Sequence, residues 1–92
     1  MASGKSNRAR EIVTGIVTLS EIPSGSNSEQ TIYFGYTFKQ TPKVVANVKG
    51  TFTADEVSHI NIVDVRASYF RVRLKNLYKI PLSPQIIFIA IA

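Results

Sequence analysis

The chain has 92 residues, 45% of them hydrophobic, and eleven Lys and Arg against six Asp and Glu give a formal charge of +5. That length supports one core and excludes a second domain. With no cysteine and a single histidine, His59, disulfides, thiolate metal sites and histidine clusters are excluded. The cationic surplus favours anionic partners without naming one.

A domain of this size hides only about 60 to 65% of its unfolded surface, so tight packing or neighbouring subunits must stabilise it. Residues 1–10 are mostly Ser, Lys, Arg and Asn, and are expected to form a flexible lead or the remnant of a cut from a longer chain. No stretch has the apolar length of a signal peptide or of a spanning helix of roughly 18 residues, so membrane insertion is not expected.

Residues 11–19 are rich in β-branched side chains, and their alternation puts Val13, Gly15, Val17 and Leu19 on one face and Thr14, Ile16 and Thr18 on the other. This predicts a first strand. Residues 22–28 combine proline, glycine and small polar residues and predict a long surface loop. Ile32, Phe34, Tyr36 and Phe38 then alternate with Thr31, Tyr33, Gly35 and Thr37, predicting a second strand over residues 31–38 with an aromatic face. Pro42 ends that segment, residues 43–49 start a third strand, and Gly50 closes it. Ala54, Asp55 and Glu56 read as a loop tip anchored by Phe52.

A fourth strand is predicted at about residues 59–66, with its inward face open between Ile60 and Ile62 on one side and Val63 and Val65 on the other. In the fifth, Phe70, Val72 and Leu74 point one way and Tyr69, Arg71, Arg73 and Lys75 the other, giving a buried face and a basic stripe. Residues 85–92 form a sixth strand that is apolar on both faces, which calls for cover by a partner on one of them. Six short strands without a sustained helical period predict an all-β fold, a six-stranded antiparallel β-sandwich over residues 11–92.

Catalytic chemistry is poorly provided for. No Gly-x-Ser-x-Gly elbow exists, and one histidine without cysteine assembles neither a serine nor a thiol triad, so the chain is not expected to be an enzyme or to hold a cofactor. Asp55 and Glu56 are neighbours that point apart, as a solvated loop tip does. Gly4-Lys5-Ser6 lacks the upstream glycine of a phosphate loop. His59 has no second ligand at metal spacing and reads as a strand-end histidine.

The sharpest electrostatic feature is the stripe Arg71, Arg73, Lys75, whose side chains lie about 6.5 to 7 Å apart on one strand face, close to a phosphate repeat. Tyr69 and Tyr78 flank it in sequence with aromatic surface suited to a sugar ring or a base. An ordinary solvated outer face is the alternative.

The residue order adds a further clue. Gly15, then Ile32-x-Phe34 leading to Phe38-x-x-x-Pro42-x-Val44, then Val63 to Val65 before Tyr69-Phe70-x-Val72, then Ile87-Phe88-Ile89-Ala90, resembles the H-type lectin domain and related domains at the C-terminal tips of bacteriophage tail and receptor-binding proteins. The resemblance covers about residues 11–92 and implies a six-stranded sandwich that forms homotrimers, with a sugar site between subunits. Its acidic position after strand one falls near Ser20 and Glu21. Its strand-four arginine position falls at Asn61, with Arg66 nearby, and its aromatic–histidine position at Leu77-Tyr78. The missing cysteines suit a phage or bacterial version assembled in the cytoplasm.

Together these readings predict a module of a phage tail or baseplate that recognises a host-surface glycan or a teichoic-acid-like polymer. Tyr78, Asn76, Arg73, Arg71, Asn61 and Glu21 are the candidate ligand-binding residues, through aromatic C–H contacts and polar contacts to hydroxyls or phosphates. Other tail or baseplate proteins are the further partners this predicts. Two alternatives stand beside it: a purely structural trimerisation or fibre-capping module, and a single-strand nucleic-acid binder, the less favoured of the two.

Overall fold

The computed structural model describes residues 11–49 and 56–92. The lead at residues 1–10, Gly50 as a strand terminator, the Phe52 anchor and the Ala54-Asp55 tip lie outside the described residues. Six strands follow in order: β1 (Ile12–Thr18), β2 (Asn27–Tyr33), β3 (Lys43–Lys49), β4 (Asn61–Val65), β5 (Tyr69–Lys75) and β6 (Gln85–Ile91). Every pairing is antiparallel, and the strands form two three-stranded sheets, β1-β6-β3 and β2-β5-β4. Among the described residues there is no helix, and therefore none long and apolar enough to cross a membrane.

The period of two in each strand sends alternate side chains inward, and both sheets contribute to one core. Ile32, Phe70, Val72 and Leu74 come from one sheet and Ile86, Phe88 and Ala90 from the other. Phe70 and Phe88 meet edge to face at 5.1 Å, and Phe34 stacks on Phe70 at 5.5 Å, so aromatic rings join the two sheets. Burying each such side chain stabilises the fold by about 1.5–3 kcal/mol. Gly15 is required by this packing, since a Cβ there would stand 2.8 Å from Cε1 of Phe88.

Two elements differ from the sequence prediction, and one that it left open is settled. The second strand runs over Asn27–Tyr33 and not over residues 31–38: Gly35, at φ 71°, turns the chain out of the sheet, and Phe34 and Phe38 reach the core from a loop. The polar start of β2 is held in the sheet by pairing with β5, Asn27 opposite Lys75 and Ser28 opposite Leu74.

The predicted surface loop after β1 is partly interior, because Ile22 is fully buried and exchanges backbone hydrogen bonds with Leu82 at 2.7 and 3.1 Å. Its outer part is a turn closed by the Ser26 N–H donating to Pro23 O at 3.1 Å, with Gly25 at φ 72° in the position that demands positive φ. The β4 ambiguity is resolved by an irregularity between Ile62 and Asp64 that places Val63 outside the alternation. Ile60, Ile62 and Val65 then all pack against the core.

Candidate functional site

The outer face of β2-β5-β4 carries three of the residues singled out by the sequence, Arg71, Arg73 and Asn61. Antiparallel pairing sets them in rows: Glu29, Arg73 and Asn61 in one, Thr31, Arg71 and Asp64 in the next, and Tyr33 beside Tyr69 beyond them. Side chains directly opposite on antiparallel strands point to the same side, so each row is a contiguous set of groups. Arg71, Arg73 and Asn61 are thus brought together.

Glu29 is the residue that the sequence reading missed, and it changes the character of the stripe. Its carboxylate pairs with both guanidinium groups, Arg73 Nη2 at 2.8 Å and Arg71 Nη2 alongside. The Arg73 hydrogen bond, followed by the charges of Arg71 and Arg73, holds Glu29 below its usual carboxylate range despite the opposing effect of burial. Arg66 and Asp64 form a second pair at 3.1 Å, and the carboxylate raises the affinity of Arg66 for its proton. The face is therefore a lattice of alternating charges and not a uniformly basic track. Among the described residues Arg71 Nε is a buried donor without a hydrogen-bond partner.

At the margin of this lattice, the Tyr33 and Tyr69 rings lie 5.7 Å apart at 59°, and Tyr33 is 70% exposed. Tyr69 had been placed beside the stripe from sequence. Tyr33 had not, although alternation set it with Thr31 on the polar face, opposite Ile32 and Phe34.

Asn76, Tyr78 and Glu21 belong to a different region, the end of the molecule where the β1–β2 and β5–β6 loops meet. Asn76 is fully buried, and its side chain is spent on the chain itself. Nδ2 donates to Ile22 O and to Ile80 O, both at 2.9 Å, while Oδ1 accepts the Tyr78 N–H at 2.8 Å. Its placement among the ligand-binding candidates is corrected accordingly: an amide with no exposed surface ties two loops together and offers nothing to a ligand. Tyr78 is half-buried and its carbonyl accepts from Ser24 Oγ at 2.6 Å, which brings it against the loop that begins at the exposed Glu21. Ser20 is fixed by Gln30, which accepts its N–H at 2.8 Å and donates to its carbonyl at 3.1 Å.

The opposite end holds an open pocket of about 450 Å³ lined by Glu11, Tyr36, Lys39, Gln40 and Ala92. Tyr36 donates its hydroxyl to Glu11 Oε2, and the Lys39 N–H donates to Glu11 Oε1 at 3.3 Å. The Tyr36 hydrogen bond, then the Lys39 amide and charge, lower the proton affinity of Glu11 against its desolvation. The same contact raises that of Tyr36.

The outer face of the other sheet is apolar. Ile12 and Ile16 of β1, Ile87 and Ile89 of β6 and Val45 of β3 are all exposed, with Thr14, Ile89 and Val45 in one cross-strand row and Ile16 beside Ile87 in the next. Lys43, Asn47 and Lys49 border it along β3. Among the described residues no group of three or more His, Asp or Glu is arranged to hold a metal ion. Comparison with protein-family models, curated proteins and solved structures gives no match for this chain.

Proposed function

We propose that the chain is a non-catalytic carbohydrate-recognition module, a β-sandwich that assembles through the outer face of β1-β6-β3 and reads a glycan with the outer face of β2-β5-β4. The observation that carries this reading is the row Glu29, Arg73, Asn61 leading to the exposed ring of Tyr33 and the half-buried ring of Tyr69. A carboxylate, a guanidinium and an amide on strands about 4.8 Å apart match the mixed donors and acceptors of vicinal hydroxyls. Arg73 of that row and Tyr69 stand four positions apart along β5, about 13 Å, which suits a short oligosaccharide better than one sugar. Tyr33 offers a ring face for the apolar C–H side of a pyranose.

The charge arrangement favours a neutral or weakly charged glycan over a phosphate polymer. Glu29 between Arg71 and Arg73 repels successive phosphates and compensates one of the three cations of the stripe. Self-association is supported by the exposed isoleucines and by Val45, 61% exposed at the middle of β3, a contiguous apolar surface of the kind that marks an interface. Three copies and a place at a phage tail tip are what the resemblance to H-type lectin domains suggests, and display in several copies would raise the avidity of a weak site.

The test is a glycan array probed with the native chain, Tyr33→Ala and Arg73→Ala. Each substitution is expected to weaken binding by about tenfold, the loss of one good contact, while stability changes by less than about 1 kcal/mol because both side chains are exposed. Undiminished binding by both variants rules out this face. Light scattering on the native chain should give a mass near three times 10.2 kDa. Ile16→Lys with Ile87→Lys, facing partners on the apolar sheet, should reduce it to one. A native monomer contradicts the assembly part of the proposal.

A further inference from the structure

We infer that the pocket between the start of β1 and the β2–β3 loop is a second ligand site, taking a neutral polyhydroxylated ring such as a hexose or a cyclitol. It shares no residue with the β2-β5-β4 face, and it stands or falls separately from the reading of that face. Its volume of about 450 Å³ lies within the 300–1,000 Å³ typical of small-molecule sites.

The lining is held in place before any ligand arrives. Glu11 exchanges backbone hydrogen bonds with Ala92 at 3.2 and 2.9 Å, which fixes its main chain beside the pocket. Gly35 turns the chain so that Tyr36 emerges, and the Tyr36 ring stands edge-on against Phe38 at 5.1 Å and 88°. With Phe38 buried beneath it and its hydroxyl committed to Glu11, the ring has one orientation and remains 46% exposed. Each carboxylate oxygen of Glu11 already accepts one hydrogen bond and retains capacity for another.

The ligand class follows from the charges. Glu11 and Lys39 cancel, so an ion attracted by one is repelled by the other. Among the described residues Lys39 is in no ion pair, although its charge acts on Glu11. A hydroxyl group is a neutral group that both donates to a carboxylate and accepts from an ammonium, and a diol does both at once. Gln40 adds one more donor and acceptor set, while Tyr36 and Ala92 supply an apolar surface for ring C–H groups.

The experiment is a ¹⁵N-correlation titration of the full chain with methyl hexosides and myo-inositol, and with ammonium and inorganic phosphate as charged controls. Saturable shifts are expected at the amides of residues 35–40, Glu11 and Ala92, with a millimolar dissociation constant. Glu11→Gln and Tyr36→Ala should each weaken binding about tenfold. Tyr36→Phe, which keeps the ring and loses the hydroxyl, should fall between them and the native chain, and a well-dispersed spectrum verifies that each variant is folded. No saturable shift at these amides up to about 0.1 M, or equal response to the charged controls, overturns the inference. Shifts confined to β2 and β5 would overturn this site and leave the proposed glycan face intact. Pocket shifts with a silent sheet face would do the reverse.

Discussion

Replacing Asn76 by Ala separates a structural role from a ligand-binding one. The side chain makes three internal hydrogen bonds; its loss leaves the Ile80 carbonyl and the Tyr78 N–H without that partner, while the Ile22 carbonyl keeps only the Leu82 N–H. A buried polar group left without a partner costs about 1–3 kcal/mol. Ile80 and Tyr78 lie near the surface and recover part of this from water, and the buried Ile22 carbonyl keeps its Leu82 partner, so the expected loss is about 2–4 kcal/mol. A domain of this length has on the order of 5–14 kcal/mol in total.

The melting midpoint should therefore fall by roughly 8–32 °C, at about 4–8 °C per kcal/mol for a domain of this size. Urea unfolding with an unchanged slope gives the free energy directly. Asn76→Asp keeps the acceptor for Tyr78 but turns a carboxylate oxygen toward two carbonyls, and should be no milder. A loss below about 1 kcal/mol, accompanied by loss of glycan binding, would refute the reasoning and return Asn76 to the binding site.

Gly15→Ala should destabilise the fold by about 1–3 kcal/mol through its clash with the Phe88 ring, and Phe88→Leu in the same chain should recover part of that loss. Denaturant unfolding of the two single variants and the double variant checks the coupling. Glu29 is held below its usual 4.5 in the folded state, chiefly by Arg73, so it contributes stability that is complete above that value and is lost as pH falls through the lower folded-state value. Glu11, lowered by Tyr36, contributes over the same acid range. Thermal melts from pH 6 to pH 2 should show a shallower acid limb for Glu29→Gln than for the native chain, and a shallower one again with Glu11→Gln added; an unaltered limb would contradict both assignments.

Much of the fold could be read from alternation. Strands β3 and β5 are fully legible, because Lys43–Lys49 and Tyr69–Lys75 each expose one face and turn the other inward. The doubly apolar character of β6 was visible for the same reason, and Ile87 and Ile89 are indeed exposed on the outer face. Alternation misled at β2, since Phe34 and Phe38 keep a period of two after the chain has left the sheet, and only the positive φ of Gly35 reveals the departure.

The sites were less legible because they depend on contacts between distant residues. Glu29 meets Arg73 across 44 positions, and Tyr36 meets Glu11 across 25. Neither spacing carries a local pattern. Asn76 follows the charged end of β5 and was named only as a ligand-binding candidate, and nothing local signals that the carbonyls of Ile22 and Ile80 converge on it.

The most direct test of the central claim is the binding of the native chain to a panel of neutral oligosaccharides, phosphate polymers and single-stranded DNA, measured at 50 and 200 mM salt. The account predicts saturable binding of a neutral oligosaccharide whose affinity changes by less than about threefold over that range, since no counterion release accompanies it. It is contradicted if no oligosaccharide binds and a polyanion does, with affinity falling some 20- to 40-fold, the dependence expected when the three cations of the β5 stripe each neutralise a phosphate.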